Sequence, residues 1–139
     1  MRLHLDLPSV VHFRTSIAIR ITDINYGGHL ANDSILSIIH EARVQFYKHY
    51  GYDELDVEGI GTIMSDVAIM YKAEAFYGDV LDIEISAAEF VRVSHDLYYR
   101  LTSRNTGNEI ARARTHMVFF DYTEKRVKAI PKKFQELFV

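Results

Sequence analysis

The stretch Asp23 to Asp33, DINYGGHLAND, brings an amide (Asn25), two adjacent glycines (Gly27, Gly28) and a histidine (His29) within five positions. Histidine is the side chain whose ordinary titration range spans neutral pH, so it suits proton transfer. It also serves as a structural donor at the start of a helix. An asparagine here orients a ligand or a water, or simply closes an Asx turn on its own backbone. The two glycines let the chain come close to a ligand. The N–H groups that open a following helix then face whatever lies there, and the helix dipole adds a favourable field for developing negative charge. The same pattern also describes a turn feeding a capped helix. Further along, Glu41 lies on a polar stripe with Ser37 and Gln45, as a solvated position or as a second proton acceptor.

These residues need elements to hold them. From Val11 to Ile21 apolar and polar residues alternate, which predicts a half-buried strand. From Ser34 to Tyr50 the period changes: Ile35, Ile38, Ile39, Ala42 and Phe46 form one helical face, flanked by Leu36, Arg43 and Tyr47. Asn32 or Asp33 is the expected N-cap and Gly51 the expected stop, giving about five turns. Four strands are predicted after it, over Ile60–Phe76, Val80–Val91, Val93–Ser103 and Glu109–Tyr122. Asn105-Thr106-Gly107-Asn108 makes a hairpin turn between the last two. Pro131 to Phe138 reads as a short closing helix with Pro131 in its first turn. The expected class is α+β with a mainly antiparallel sheet.

The chain has 139 residues, 48% hydrophobic and 25% charged, which fits a single domain over 1–139 with a core of its own. A net charge of −3 argues against nucleic acid as a partner. The absence of cysteine removes disulfides, thiolate nucleophiles and cysteine metal sites. No signal peptide or membrane-spanning run is read, and a cytoplasmic location is expected. His40-Glu41 lacks the second histidine of H-E-x-x-H, so no metal is expected.

Asp23-Ile24-Asn25-Tyr26-Gly27-Gly28-His29-Leu30-Ala31-Asn32, running into His40-Glu41-Ala42-Arg43, resembles the D-x-D-x-x-G-H-V-N-N and E-A-R pattern of hotdog-fold thioesterases of the 4-hydroxybenzoyl-CoA thioesterase type. Tyr77-Gly78-Asp79 is similar to that family's "gD" turn, and Ala129-Ile130-Pro131 to its closing "iP". The resemblance implies a hotdog fold, with an antiparallel sheet of about five strands wrapped around one long central helix. It implies hydrolysis of an acyl-CoA thioester without a cofactor, in a site at the subunit boundary of a homodimer or of a dimer of dimers. Backbone N–H groups at Gly28 and His29 would polarise the thioester carbonyl. Asn25 would hold the water, and His29 or Glu41 would take its proton. Arg112 and Arg114 share a strand face and are candidates for the CoA phosphates. Tyr26, Tyr47 and Tyr71 would line an aromatic-acyl pocket or belong to the core. One position departs from the pattern. The family's second Asp is here Asn25, which can neither accept water's proton nor form a mixed anhydride. A non-catalytic module that binds acyl-CoA or acyl carrier protein is therefore the alternative.

Overall fold

The computed structural model describes residues 2–139. The chain runs through β1 (Phe13–Ala18), a 3-10 turn (Ile21–Asp23), α1 (Asn32–His49), β2 (Gly61–Tyr71), β3 (Val80–Ala88), β4 (Ser94–Ser103), β5 (Glu109–Asp121), β6 (Arg126–Val127) and α2 (Lys132–Gln135). The sheet is antiparallel, in the order β1-β3-β4-β5-β2, with the two-residue β6 added on β5. The expected five strands are thus joined by a short sixth.

Period two sets which residues meet the helix. Leu81, Ile83 and Ile85 of β3, Leu97, Tyr99 and Leu101 of β4, and Ala111, Ala113, Met117 and Phe119 of β5 form the buried rows. Against them α1 buries Ile35, Ile38, Ile39, Ala42, Phe46 and Tyr47. Fully burying an isoleucine- or phenylalanine-sized side chain contributes about 1.5–3 kcal/mol, so this helical face is a major source of stability.

Several boundaries differ from the sequence reading, each for a local reason. The N-cap is Ala31, with no side-chain cap, because Asn32 and Asp33 are already helical. Gly51 does end α1, with φ +85° and its N–H donated to the Lys48 carbonyl. Strand β2 stops at Tyr71, since the N–H groups of Lys72 and Ala73 both turn to the Ile110 carbonyl (2.8 and 3.2 Å). Strand β3 stops at Ala88, before Glu89 takes φ +56°. The closing helix is only four residues, with Pro131 as its N-cap rather than in its first turn.

Arg43 and His95 are two of the polar side chains buried in the core. Arg43, on the apolar side of α1, donates to the Tyr99 hydroxyl and to Glu54 (both 3.4 Å), and Tyr99 pairs with Thr115 (2.8 Å). His95 is fully buried, stacked on Phe90 (centroids 4.9 Å apart, 9° between planes) and beside Phe134 of α2. Its Nε2 has no partner among the described residues, and burial pushes its pKa down to about 4.

That depression gives a pH dependence with a definite sign. Below the ordinary histidine value of 6.5 the unfolded chain takes up the proton and the folded chain resists it until about pH 4. Stability should therefore fall as pH drops from about 6.5 towards 4, by an amount on the order of 3 kcal/mol at most. Urea unfolding midpoints measured across that window should show a smaller loss in His95→Leu than in the native protein.

Candidate active-site cleft

Residues 23–31 are held as a loop by three sets of bonds. The Asp23 carboxylate accepts from the Arg20 backbone N–H (2.8 Å), and its carbonyl accepts from Ala31 (2.9 Å). Leu30 donates to the Ala75 carbonyl (2.8 Å), which ties the loop to the segment after β2. Inside the loop, Asn25 Oδ1 accepts the backbone N–H groups of both Gly27 (2.9 Å) and His29 (3.2 Å). Those two donors fix which end of the amide is oxygen. Gly28 turns the chain at φ +85°, a conformation that side-chain-bearing residues seldom adopt.

Between this loop, the start of α1 and the end of β2 lies a cleft of about 330 Å³. Leu30, Ile35, Ala75 and Ile110 are its apolar part, while Asn25, His29, Asn32, Tyr71, Lys72 and Glu74 supply polar groups. His29 Nδ1 lies 3.3 Å from Glu74 Oε1, and its ring meets the Phe76 ring edge-on (centroids 5.5 Å apart). His29 Nε2 has no protein partner among the described residues. The Tyr71 hydroxyl donates to the Asn32 carbonyl (3.0 Å), bridging strand end and helix start.

The cleft revises the oxyanion expectation. The N–H groups of Gly28 and His29 are both taken within the loop, by the carbonyl and side chain of Asn25. The donors left open are those of Asn32 and Asp33, which have no partner among the described residues because α1 lacks a side-chain cap. Asn25 spends Oδ1 on the turn and keeps its Nδ2 donors for the cleft that it lines.

Asn25 and His29 are therefore brought together, but Glu41 is not. It is exposed on the flank of α1, bonded by Gln45 Nε2 (2.8 Å), and Gln45 in turn bonds Thr15 of β1 at the opposite sheet edge from β2. Glu41 is not among the residues that line the cleft. Arg112 and Arg114 do share a face, but both are committed. Arg112 binds Glu109 (2.9 Å) and the Leu5 carbonyl (3.0 Å), and Arg114 pairs with Asp66 (3.0 Å). That is the sheet face turned away from α1. Of the three tyrosines, Tyr47 is core, Tyr71 lines the cleft and Tyr26 projects fully into solvent. The residue that sequence reading missed is Glu74. It stood inside a predicted strand, and its only signal was its place five residues before the Asp79 turn. No group of His, Asp and Glu suited to a metal ion occurs among the described residues, and no helix is long and apolar enough to cross a membrane.

An antiparallel sheet packed on one main helix, with a loop-and-helix-start cleft, is the architecture of hotdog thioesterase domains. The profile of the thioesterase-like superfamily matches residues 19–138, and the chain belongs to that superfamily. Among solved structures it is similar to a 1,4-dihydroxy-2-naphthoyl-CoA thioesterase from Synechocystis, with a TM-score of 0.81 and 19% identity over 90% of this chain and 93% of that one. It is also similar to a DHNA-CoA thioesterase from Staphylococcus aureus, with a TM-score of 0.77 and 17% identity over 88% and 83% of the two chains. A gentisyl-coenzyme A thioesterase gives 0.78 and 20% over 88% and 99%. At these identities the likeness is one of fold. No curated protein matches.

The two hydrogen bonds accepted by Asn25 Oδ1 set an expectation for variants. Asn25→Ala should cost about 0.5–1.5 kcal/mol of stability by removing the acceptor that closes this exposed turn. Asn25→Asp, whose carboxylate can accept the same bonds, should stay within about 0.5 kcal/mol of the native protein in thermal melts. Equal losses in both would show that the turn does not depend on this acceptor.

Proposed function

We propose that the protein hydrolyses an acyl-CoA thioester to a carboxylic acid and free CoA in the cleft at the start of α1. The observation that carries this reading is His29. It has a carboxylate, Glu74, beside Nδ1, no protein partner on Nε2, and a position at the rim of a cleft that also contains an uncapped helix start. His29 Nε2 takes a proton from water, and the water oxygen attacks the thioester carbonyl carbon. The oxygen that becomes negative is met by the open N–H groups of Asn32 and Asp33 and by Asn25 Nδ2. As the tetrahedral intermediate collapses, the C–S bond breaks and the thiolate takes its proton from the imidazolium. Glu74 stabilises that imidazolium while it exists. Glu41 has no part in this scheme, and neither have Arg112 and Arg114.

The finer likeness to the 4-hydroxybenzoyl-CoA type belongs to this proposal and rests on the loop, the Gly78-Asp79 turn and Ile130-Pro131. So does assembly into a homodimer or a pair of dimers. Supporting it are the unpaired outer edge of β2, an eleven-residue strand, and the exposed Leu36, Leu55, Ile63 and Tyr71. Light scattering should then give two or four times 16.1 kDa. A monomer at micromolar concentration would rule this assembly out.

A second reading is supported by Asn25 itself, which stands where the family pattern has a carboxylate. On that reading the cleft binds an acyl thioester and does not cleave it. Thiol release from short, long and aromatic acyl-CoAs distinguishes the two. Hydrolysis predicts turnover by the native protein that falls about 10²–10⁴-fold in His29→Ala. A native protein inert on every substrate, with release appearing only in Asn25→Asp, would establish the binding module instead.

A further inference from the structure

The N-terminal segment crosses the sheet face turned away from α1 and is pinned at both ends. At one end the Leu5 carbonyl accepts from Arg112 Nη1 (3.0 Å). At the other, the His12 N–H donates to the Ile85 carbonyl (2.9 Å), and His12 Nδ1 accepts from the Ala87 N–H (3.0 Å). The residues between these pins form a strap, and beneath it lies a hollow of about 380 Å³. Ser9 and the apolar Leu7, Pro8 and Val11 are its strap side, while Arg14, Glu84, Ser86, Tyr98 and Arg100 line it from β1, β3 and β4. Glu84, Arg100 and Arg112 are register partners across β3, β4 and β5, which places the hollow on that same outer face. Ser86 is only 5% exposed there, whereas Asp82 and Glu84 in its row are half-buried. Residues 2–12 lie outside the 19–138 match, so membership of the superfamily assigns the strap no role.

The polar wall holds more donors than acceptors. Arg14 and Arg100 flank one carboxylate, Glu84, at 3.4 and 3.9 Å, so two guanidinium groups against one anion leave one net positive charge. Arg100 also lies 3.2 Å from Glu109, but that carboxylate already has Lys72 (2.6 Å) and Arg112 (2.9 Å). The Arg100 Nε is buried without an aligned hydrogen bond. The terminal nitrogens of both arginines, and the hydroxyls of Ser86 and Tyr98, make none among the described residues. Burial raises the Tyr98 pKa, and Asp96 and Glu89 add to the effect, so its hydroxyl stays protonated and able to donate. We propose that the hollow binds a small monocarboxylate, with its carboxylate between Arg14 and Arg100 and its hydrocarbon body against Leu7, Pro8 and Val11. A planar guanidinium fork matches carboxylate oxygens. One net positive charge suits a monoanion, and the apolar strap offers an inorganic oxyanion no partner on that side. The volume is near the small end of ligand sites, which run roughly 300–1,000 Å³. Because the hollow is on the face turned away from α1, the proposal stands apart from the hydrolytic reading.

Titrating the full chain with butyrate, benzoate, butyramide and inorganic phosphate, followed by backbone amide NMR shifts, tests this. Butyramide keeps the shape of butyrate and lacks its charge. At least one of the two acids should shift the amides of Ser9, Val11, Ser86 and Tyr98 at millimolar concentration. Butyramide and phosphate should bind there about tenfold more weakly or not at all. Arg14→Gln should weaken the acid about three- to tenfold and Arg100→Gln about tenfold, while Arg126→Gln at β6 should leave it unchanged. The Arg14 side chain is 69% exposed, so its variant keeps the fold and carries the test should Arg100→Gln fail to fold. No shift at those four amides with either acid would overturn the proposal, as would shifts confined to Asn32 and Asp33, which would place the acid in the α1 cleft. Butyramide or phosphate binding as tightly as the acid, or Arg14→Gln binding at native affinity, would overturn it equally. The measurement involves no turnover, so its outcome is separate from that of the thiol-release assay.

Discussion

Burial of one face of α1 against the inner rows of the sheet is the constraint on which everything else depends. Ile35, Ile38, Ile39, Ala42, Phe46 and Tyr47 lock the rotation of the helix about its axis and its slide along the sheet. Fixing α1 fixes its first turn, and with it the open N–H groups of Asn32 and Asp33. The same packing puts Arg43 inside the protein, where Tyr99 and Glu54 must satisfy it. A buried guanidinium adds little net stability, but it tolerates few alternative placements of the helix. The core thus acts on the cleft by dictating where a helix terminus points.

The loop before α1 works by a different economy. Only Leu30 and Ile24 anchor it in the core, so the rest of its shape comes from backbone groups satisfied by nearby side chains and carbonyls. Asn25 closes the turn, Asp23 anchors the entry, and Leu30 ties the exit to Ala75. What the loop leaves unpaired among the described residues are the atoms free to meet a ligand. Those are Nε2 of His29, Nδ2 of Asn25 and two N–H groups of α1.

This division explains what was legible in the sequence. Helix α1, the β4–β5 hairpin and the alternating rows of β3 to β5 were readable because each is a local period with a local stop. The positions of Asn25 and His29 were readable as well, since the loop is contiguous. Which N–H groups stay open was not, because that depends on where the Asn25 side chain turns and on the helix cap falling at Ala31, one residue before Asn32. Glu74 was hidden for another reason: its partner His29 lies 45 residues earlier, and no spacing rule joins them. For Glu41, a face pattern shows which side of the helix a residue is on, and not which edge of the sheet it lies over; for Arg112 and Arg114 it does not show which carboxylates they meet.

The cleft is assembled from three separate stretches, residues 25–35, 71–75 and Ile110. The hairpins β3–β4 and β4–β5 join near neighbours in sequence, whereas β2–β5 and β1–β3 close loops of tens of residues, and the Leu5–Arg112 bond spans 107 positions. Contacts of long span carry a larger loop-closure cost. The cleft therefore exists only once the long-range β2–β5 pairing is made. A ligand that occupies it discriminates between the native chain and every partly folded one, and so acts as a selective brake on unfolding.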